Sequence, residues 1–288
     1  MPEGDAVWRT ARRLHEAFGG RVLLGTDLRV PTLAVRDLSG CTTVEVVPRG
    51  KHLLHRLDSG LTLHSHLRME GTWRVLRRPA VLPGGGAGLE SDRRPLHHPA
   101  THPHTVRAVL WTTGHLAVGD SLGMLDLVAT AQESAVIGHL GPDVLDPHFD
   151  RRRALTHLLA DPSVPVGVAL LDQRNLAGIG TIYASEPLFE HRVSPWAPVG
   201  DLDPEVVGRV VDTARLWMVR SCRVGHRPAA GSLARPPADG WLPGTYRVFG
   251  RRGRPCRRCG TTIVEGPLGR SPRQRVISFC PSCQPFPT

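Results

Sequence analysis

The sequence predicts a multidomain α+β protein with three parts. These are an N-terminal antiparallel β-sandwich preceded by a helix, a helical domain, and a metal-binding β-hairpin finger. Short β-branched runs, a later stretch with helical spacing, and two Cys-x-x-C pairs are the observations behind this prediction. We expect the domains at residues 1–135, 150–222 and 246–284, joined before the finger by a Pro/Gly/Ala-rich linker at 223–245.

The first element is a predicted helix over residues 5–20, DAVWRTARRLHEAFGG. Asp5 is the expected N-cap, and Gly19 and Gly20 end the segment. One helical face carries the apolar residues Val7, Ala11, Leu14 and Phe18. The segments that follow, such as CTTVEVVPRG and LTLHSHLRM, are typical of an antiparallel sandwich or barrel. Of these two we favour the sandwich.

A loop interrupts the strands at PAVLPGGGAGLESDRRPLHHPATHPH. It contains four histidines that could bind a metal: His97, His98, His102 and His104. Nothing in the sequence gives them a common geometry, so we interpret the segment as a solvated surface loop.

The charge of the chain points to an anionic partner. The 288 residues carry a formal net charge of +10 and a pI near 10.5. Nucleic acid is the commonest such partner, and the arginines cluster in RVFGRRGRPCRR. A membrane surface is the competing partner, but the sequence contains no basic amphipathic helix, no spanning apolar run and no signal peptide. We therefore expect a soluble intracellular protein.

The cysteine spacing is the most specific single signal. Two close pairs, CRRC and CPSC, provide Cys256, Cys259, Cys280 and Cys283. Four thiolates satisfy a tetrahedral zinc ion, so we predict one structural Zn²⁺; two redox pairs or a disulfide staple are the alternatives. The segment between the pairs reads as a hairpin that presents Arg270, Arg273 and Arg275.

A glycine turn lies within LLDQRNLAGIGTIYASEPLF, between two helical segments. Gly178 and Gly180 would bring backbone N–H groups to an oxyanion at the start of the second helix, which Thr181 is placed to cap. The alternative is ordinary turn chemistry. The net charge and the cysteine module favour phosphate binding.

Two further features suggest amine chemistry. Lys51, in VVPRGKHLL, is the only lysine among 36 basic residues, all the others being arginine. A lysine can exchange a proton where an arginine cannot, although codon bias could also leave a single lysine. Removal of Met1 would expose the secondary amine of Pro2, which can attack an aldehyde, beside Glu3 as a proton shuttle. The alternative is that MPE merely precedes the first helix and has no chemical role.

Five motifs in order resemble the formamidopyrimidine-DNA glycosylase / endonuclease VIII family of base-excision repair enzymes. They are MPEGD, RGKHLL, SHLRMEGTWRV, LLDQRNLAGIGTIYASEPLF and CRRCG…QRVISFCPSCQ. The chain is most similar to the endonuclease VIII branch in its actinobacterial form. The resemblance implies a helix–two-turn–helix in the helical domain and a cytoplasmic, nucleoid-associated bacterial protein. It also implies a monomer that acts on double-stranded DNA with oxidised bases or abasic sites.

The resemblance assigns roles by position. It implies that Pro2 is the Schiff-base nucleophile, that Glu3 protonates and opens the sugar, and that Lys51 assists near the scissile phosphates. Arg275 would grip the phosphates and support δ-elimination. The implied DNA contacts are Gly178, Gly180, Thr181, Gln173, Arg273, the wedge residue Met69, and its neighbours Arg68 and Glu70.

Two positions depart from the family pattern. Thr181 stands where asparagine usually follows GIG, and Ala6 stands where many members carry a second glutamate. Threonine at 181 has a shorter side chain than asparagine and reaches less far toward a phosphate. Alanine at 6 is expected to impair excision of intact damaged bases more than cleavage at abasic sites. Three functions therefore remain open: a bifunctional glycosylase/lyase for oxidised bases, chiefly pyrimidines; a lyase alone; and a non-catalytic damaged-DNA binder.

Overall fold

In a computed structural model, the structure describes residues 2–78, 98–224, 245–271 and 274–287. The chain divides into two compact units. The first contains Met1–Pro2 and Ala6–Gly138, and the second contains Glu3–Asp5 and His139–Thr288. The domain boundaries expected at 150 and 246 stay predictions, and most of the expected linker lies outside the described ranges.

The N-terminal helix forms as its apolar spacing predicts. Helix α1 spans Gly4–Phe18, and its face of Val7, Ala11, Leu14 and Phe18 is buried. The expected N-cap is wrong, because the helix begins at Gly4 and Asp5 therefore lies within its first turn. The Asp5 side chain instead accepts hydrogen bonds from Tyr183 and Ser221 in the second unit, where residues 3–5 are grouped.

Among the residues that the structure describes, eight strands build the first unit, and they confirm the sandwich rather than the barrel. They are β1 (Gly25–Leu28), β2 (Thr43–Arg49), β3 (His52–Leu57), β4 (Leu61–His66), β5 (Thr72–Arg77), β6 (Val106–Trp111), β7 (His115–Asp120) and β8 (Met124–Ala129). All pairings are antiparallel, in two four-stranded sheets of order β1-β6-β7-β5 and β2-β3-β4-β8. Alternate residues of both sheets and the α1 face share one apolar core. A short helix, α2 (Ser134–Ile137), ends the unit.

The β2–β3 hairpin carries the lone lysine at its tip. Arg49 pairs with His52, so Gly50 and Lys51 form a two-residue turn. Gly50 has a φ of 57°, as the first central position of a type II′ turn requires. The local sequence RGKH therefore fixes Lys51 at the end of a rigid, paired ribbon.

The second unit is helical and includes the predicted hairpin. Its elements are α3 (Arg151–Leu158), α4 (Val166–Leu171), α5 (Thr181–Glu190), α6 (Pro204–Val224), β9 (Val264–Leu268) and β10 (Arg275–Phe279). Trp217 of α6 is fully buried at the centre of the helical core. Leu268 and Ile277 of the antiparallel hairpin are buried in the same core. The finger is thus packed against the helices within one unit.

The histidine-rich loop is described only in part. His98 accepts a hydrogen bond from the Ala100 N–H and caps a short 3₁₀ turn, Pro99–Thr101, while His102 and His104 are exposed. His97 lies outside the described residues. Among the helices that the structure describes, none has the length and apolar character needed to span a bilayer.

Candidate active site and metal centre

The carboxylate of Glu3 occupies the N-terminus of helix α5. Its Oε2 accepts the Gly180 N–H at 2.7 Å, and its Oε1 accepts the Ile182 N–H at 2.7 Å. Glu3 is only 2% exposed. A Cβ at Gly180 would lie 2.5 Å from the Glu3 carboxyl carbon, so this approach requires glycine. Charge-assisted bonds and the positive end of the helix both stabilise a carboxylate in this position.

The predicted cap of this helix is wrong. Thr181 is the first residue of the helix. The N-cap residue is Gly180, which has no side chain that could bond to the backbone. Glu3 performs the capping instead, from a position far away in the sequence. Local sequence patterns describe caps made by neighbouring residues, so they contain no signal for this one.

The Gln173 side chain makes three hydrogen bonds to the backbone around the glycine turn. Its Nε2 donates to the carbonyls of Leu171 and Ile179, each at 2.9 Å, and its Oε1 accepts the Gly178 N–H at 3.0 Å. Gly178 has a φ of 104°, which an L side chain rarely adopts. The amides of both glycines thus have protein acceptors here, and their contact with DNA phosphates stays a prediction, as does that of Gln173.

A second buried carboxylate, Asp5, follows Glu3 by two residues, and its sequence position predicts only a helix N-cap. Asp5 Oδ2 accepts hydrogen bonds from the Tyr183 hydroxyl at 3.1 Å and the Ser221 hydroxyl at 2.5 Å. Burial, followed by the negative charge of Asp5, raises the pKa of Tyr183 well above its usual value. This tyrosine therefore stays a neutral donor that holds the α1 start against α5 and α6. Only the folded structure shows that Asp5, Tyr183 and Ser221 are in contact.

Pro2 and Lys51 belong to the first unit, and both are half-buried. Lys51 lies within electrostatic reach of His66, at the end of β4. Burial, and then the charges of Lys51 and Arg68, lower the pKa of His66 to about 4. His66 Nδ1 also accepts the Arg68 N–H at 2.9 Å, so the neutral ring carries its proton on Nε2.

The turn between β4 and β5 presents the predicted wedge. Arg68, Met69 and Glu70 are all exposed there, and the Met69 side chain is 64% exposed. Arg68 adopts a φ of 52°, and the Gly71 N–H donates to the Leu67 carbonyl at 2.9 Å. The turn is thus closed by backbone bonds and holds an apolar side chain out in solvent, which suits insertion between stacked bases.

The four cysteines form one cluster, with all Sγ atoms within 4.8 Å of one another. The Sγ atoms of Cys259 and Cys280 are 3.5 Å apart, close to the roughly 3.8 Å expected between thiolates around tetrahedral zinc. That separation is far longer than a disulfide, and the cysteines are free thiols. The donor set and spacing fit a metal ion bound through all four positions.

The hairpin arginines are placed as follows. Arg275 begins β10, pairs in register with Leu268 and is exposed. Arg270 is exposed before β10, and Arg273 lies outside the described residues. Ile277, two positions after Arg275 in β10, is buried in the core. The strand that carries the exposed Arg275 is therefore fixed in position.

The β-sandwich, the two helices around a glycine turn and the four-cysteine hairpin together define a protein of the helix–two-turn–helix class. Residues 1–122 match the family model described as the formamidopyrimidine-DNA glycosylase N-terminal domain, and residues 140–229 match its H2TH domain. The chain belongs to the formamidopyrimidine-DNA glycosylase / endonuclease VIII family.

Curated relatives confirm the predicted branch. The chain is 44% identical to "Probable endonuclease 8 2" of Streptomyces coelicolor, over 100% of this chain and 95% of the relative. It is 40% identical to "DNA-(apurinic or apyrimidinic site) lyase Nei2" of Mycolicibacterium smegmatis, over 99% of both chains. Identity to the formamidopyrimidine-DNA glycosylase of Paracoccus denitrificans is 31%, over 99% of this chain and 100% of the relative.

The fold also matches a solved structure. The formamidopyrimidine-DNA glycosylase of Lactococcus lactis, bound non-covalently to DNA with an abasic site, superposes with a TM-score of 0.75. The match covers 99% of this chain and 100% of that chain at 20% identity, and therefore supports the fold.

Proposed function

We propose that this protein is a base-excision DNA glycosylase with abasic-site lyase activity, which uses the amine of Pro2 as its nucleophile. The observation that carries the proposal is the Glu3 carboxylate, held by two 2.7 Å backbone bonds directly beside Pro2 in the chain. A reacting carboxylate must be positioned to within a fraction of an ångström, and these bonds supply that rigidity. The relatives named as endonuclease 8 and abasic-site lyase support the same chemistry.

The reaction proceeds through a covalent iminium. The Pro2 nitrogen attacks C1′ of the damaged nucleoside, the C1′–base bond breaks, and the base departs with a proton. The nitrogen then loses its own proton, and the iminium forms as the C1′–O4′ bond breaks and O4′ takes up a proton. The iminium acidifies the C2′ proton, whose removal expels the 3′ phosphate. A second elimination expels the 5′ phosphate. Water then hydrolyses the iminium and regenerates the Pro2 amine.

The other residues transfer protons or bind the DNA. Glu3 assists opening of the sugar, Lys51 holds a phosphate and donates a proton, and Arg275 holds the phosphates of the extruded nucleotide. The base must leave the stack before C1′ can be reached, and Met69 fills the gap. The remaining proposed DNA contacts are Arg68, Glu70, Gln173, Gly178, Gly180, Thr181 and Arg273.

The ligand and partner assignments follow from the same chemistry. The four cysteines hold one Zn²⁺, which shapes the hairpin that presents Arg275. The partner is double-stranded DNA with oxidised bases, chiefly pyrimidines, or abasic sites, bound by a monomer. We place the protein in the bacterial cytoplasm, associated with the nucleoid.

Borohydride trapping tests the proposal directly. Incubation with a duplex that contains an abasic site, followed by reduction, should yield a covalent protein–DNA adduct. The adduct should disappear in Pro2→Gly and persist in the control Pro31→Gly, which changes an exposed turn residue. Mass spectrometry of the purified protein should show that Met1 has been removed.

The outcomes separate the three functions left open by the sequence. Adduct formation together with release of thymine glycol or dihydrouracil supports the bifunctional enzyme. Adduct formation without base release supports a lyase alone. Tight binding to the abasic duplex with no adduct at any pH refutes the enzyme and supports a binding protein.

A further inference from the structure

Two turns lie side by side at one end of the β2-β3-β4-β8 sheet. One is the wedge turn between β4 and β5, residues 67–71, and the other joins β7 to β8 at residues 121–123. The strand residues that flank them, His66 and Met124, pair in register. The Gly123 N–H donates to the His66 carbonyl at 3.1 Å. The backbone of the sheet therefore holds the two turns against each other.

Both turns are anchored in the apolar core beneath them. Leu67 of the wedge turn and Leu122 of the β7–β8 turn are buried, and both belong to the core that α1 and the two sheets share. Protein interiors are close-packed, so a shift of either turn requires its leucine to repack. Each turn thus has a fixed base.

Both turns also contain a strained residue. Arg68 has a φ of 52°, and Ser121 has a φ of 51°. Among the residues that the structure describes, Arg192 is the only other non-glycine residue with a positive φ. This backbone conformation is unfavourable for an L residue and persists only where surrounding contacts impose it. Two such residues in adjoining turns indicate that contacts between the turns fix their shape.

Gly123 provides the closest of these contacts. A Cβ placed on Gly123 would lie 2.5 Å from the Cγ and 2.7 Å from the Cβ of Arg68. Ordinary carbon–carbon contacts are about 3.5–4.0 Å. The Arg68 side chain therefore lies directly over the bare backbone of Gly123. Gly123 does not adopt a positive φ, so the approach of Arg68, and not the backbone conformation, requires glycine at this position.

Alanine at position 123 would displace the wedge turn itself. The Cβ of Arg68 is attached directly to the backbone, so rotation of the side chain cannot move it away. The two turns have to separate by roughly 1 Å to restore an ordinary contact. Met69 is the next residue of the wedge turn, and its exposed side chain moves with the turn. A displacement of this size is enough to slow a reaction on a positioned substrate substantially.

We propose that Gly123 is a positioning residue for the wedge. Its bare backbone seats the Arg68 side chain, and this seat fixes the conformation of the wedge turn. The turn in turn sets the direction in which Met69 enters the duplex. The role in DNA binding rests on the proposed function, in which Met69 fills the space left by the extruded nucleotide.

Amide NMR of the protein without DNA tests the packing. In Gly123→Ala the resonances of residues 68–71 should shift, because the wedge turn moves. Arg68→Gly removes the side chain and suits a positive φ, so in that background Gly123→Ala should shift them much less. The control Gly114→Ala, in the β6–β7 turn, should move none of them, since a Cβ there meets no described residue within 4 Å. Unmoved resonances in Gly123→Ala overturn the proposal.

A duplex with an uncleavable abasic-site analogue tests insertion of the wedge. A fluorescent adenine analogue opposite the site should respond less to Gly123→Ala than to the wild type. Affinity for undamaged duplex and its salt dependence should be unchanged, because no charge is lost. On a cleavable abasic duplex, single-turnover strand cleavage should slow by roughly 10-fold or more. In the Arg68→Gly background, Gly123→Ala should change either readout by less than about 2-fold.

The comparison of the two backgrounds decides the outcome. An equal loss in both would show that Gly123 acts without Arg68, and no loss in either would show that the seat has no effect on the wedge. Each of these results refutes the proposal. A wild-type protein that neither traps nor cleaves refutes the proposed function instead. The fluorescence change on the uncleavable duplex still decides the role of Gly123, because it requires binding but no chemistry.

Discussion

Glu3 and Gly180 are joined by a 2.7 Å hydrogen bond from a backbone N–H to a buried carboxylate. Glu3 lies beside the N-terminus, and Gly180 is the N-cap residue of helix α5, 177 residues further along the chain. This contact makes the position of Glu3 depend on the helix–two-turn–helix, so mutations at either end should affect the same property.

Glu3→Gln should impair both stability and base excision. The amide keeps one acceptor but turns an NH₂ group toward a backbone N–H, which costs about 2 kcal/mol for a buried charge-assisted bond. Excision should fall roughly 100-fold or more, as for loss of a general acid–base group. Denaturant unfolding and single-turnover base release measure the two effects. Glu16→Gln, an exposed change on α1, should leave both unaltered.

Lys51→Arg should separate binding from cleavage. The charge is retained, so affinity for an abasic duplex and its salt dependence should match the wild type. Arginine cannot donate a proton at working pH, and strand cleavage should slow by roughly 100-fold. Binding titrations at several salt concentrations, with cleavage rates alongside, provide the measurement. Undiminished cleavage in the variant would mean that the lone lysine reflects codon usage.

Stability should fall as the pH drops from about 6.5 toward 4. His55 is buried against Thr43, and burial lowers its pKa to about 4. Between the two values the unfolded chain binds a proton that the folded state does not, so acid favours unfolding. At pH 5 the loss from this one residue is about 2 kcal/mol. Denaturant midpoints at pH 7.5 and 5 test this, and His55→Gln should flatten the difference.

Removal of the metal should unfold the hairpin. The Cys283 thiol has its pKa raised to about 12, mainly by burial, so a cation is needed to hold four thiolates together. We expect one zinc per chain by elemental analysis, and loss of DNA binding in Cys280→Ser. Cys41→Ser, outside the cluster, should retain the metal and the affinity. A wild-type protein that binds DNA fully after exhaustive chelation would contradict this role.

Met69→Ala should weaken the extruded state. The side chain is held out in solvent by a closed turn, so its truncation leaves the fold intact but removes the group that we propose replaces the lost base. A fluorescent base analogue opposite the lesion should report less extrusion, and cleavage should slow by about 10-fold for a lost apolar contact. Val35→Ala, at a residue 93% exposed, is the matched control. Equal fluorescence in Met69→Ala and wild type would argue against a wedge.

The elements themselves could be predicted from local patterns. The spacing of Val7, Ala11, Leu14 and Phe18 identified α1. The cysteine pairs identified the metal cluster, because tetrahedral ligation imposes a spacing that is visible in sequence. Each of these signals acts over a few residues, or through a rigid ligand geometry.

The caps and the polar networks were decided by tertiary structure alone. Asp5 and Thr181 had the residue types of caps, yet Asp5 binds Tyr183 and Ser221, and the α5 amides bind Glu3. Composition and periodicity determine which segments form helices and strands, because those depend on neighbouring residues. Which buried polar groups meet depends on packing between distant segments, and that requires the folded chain.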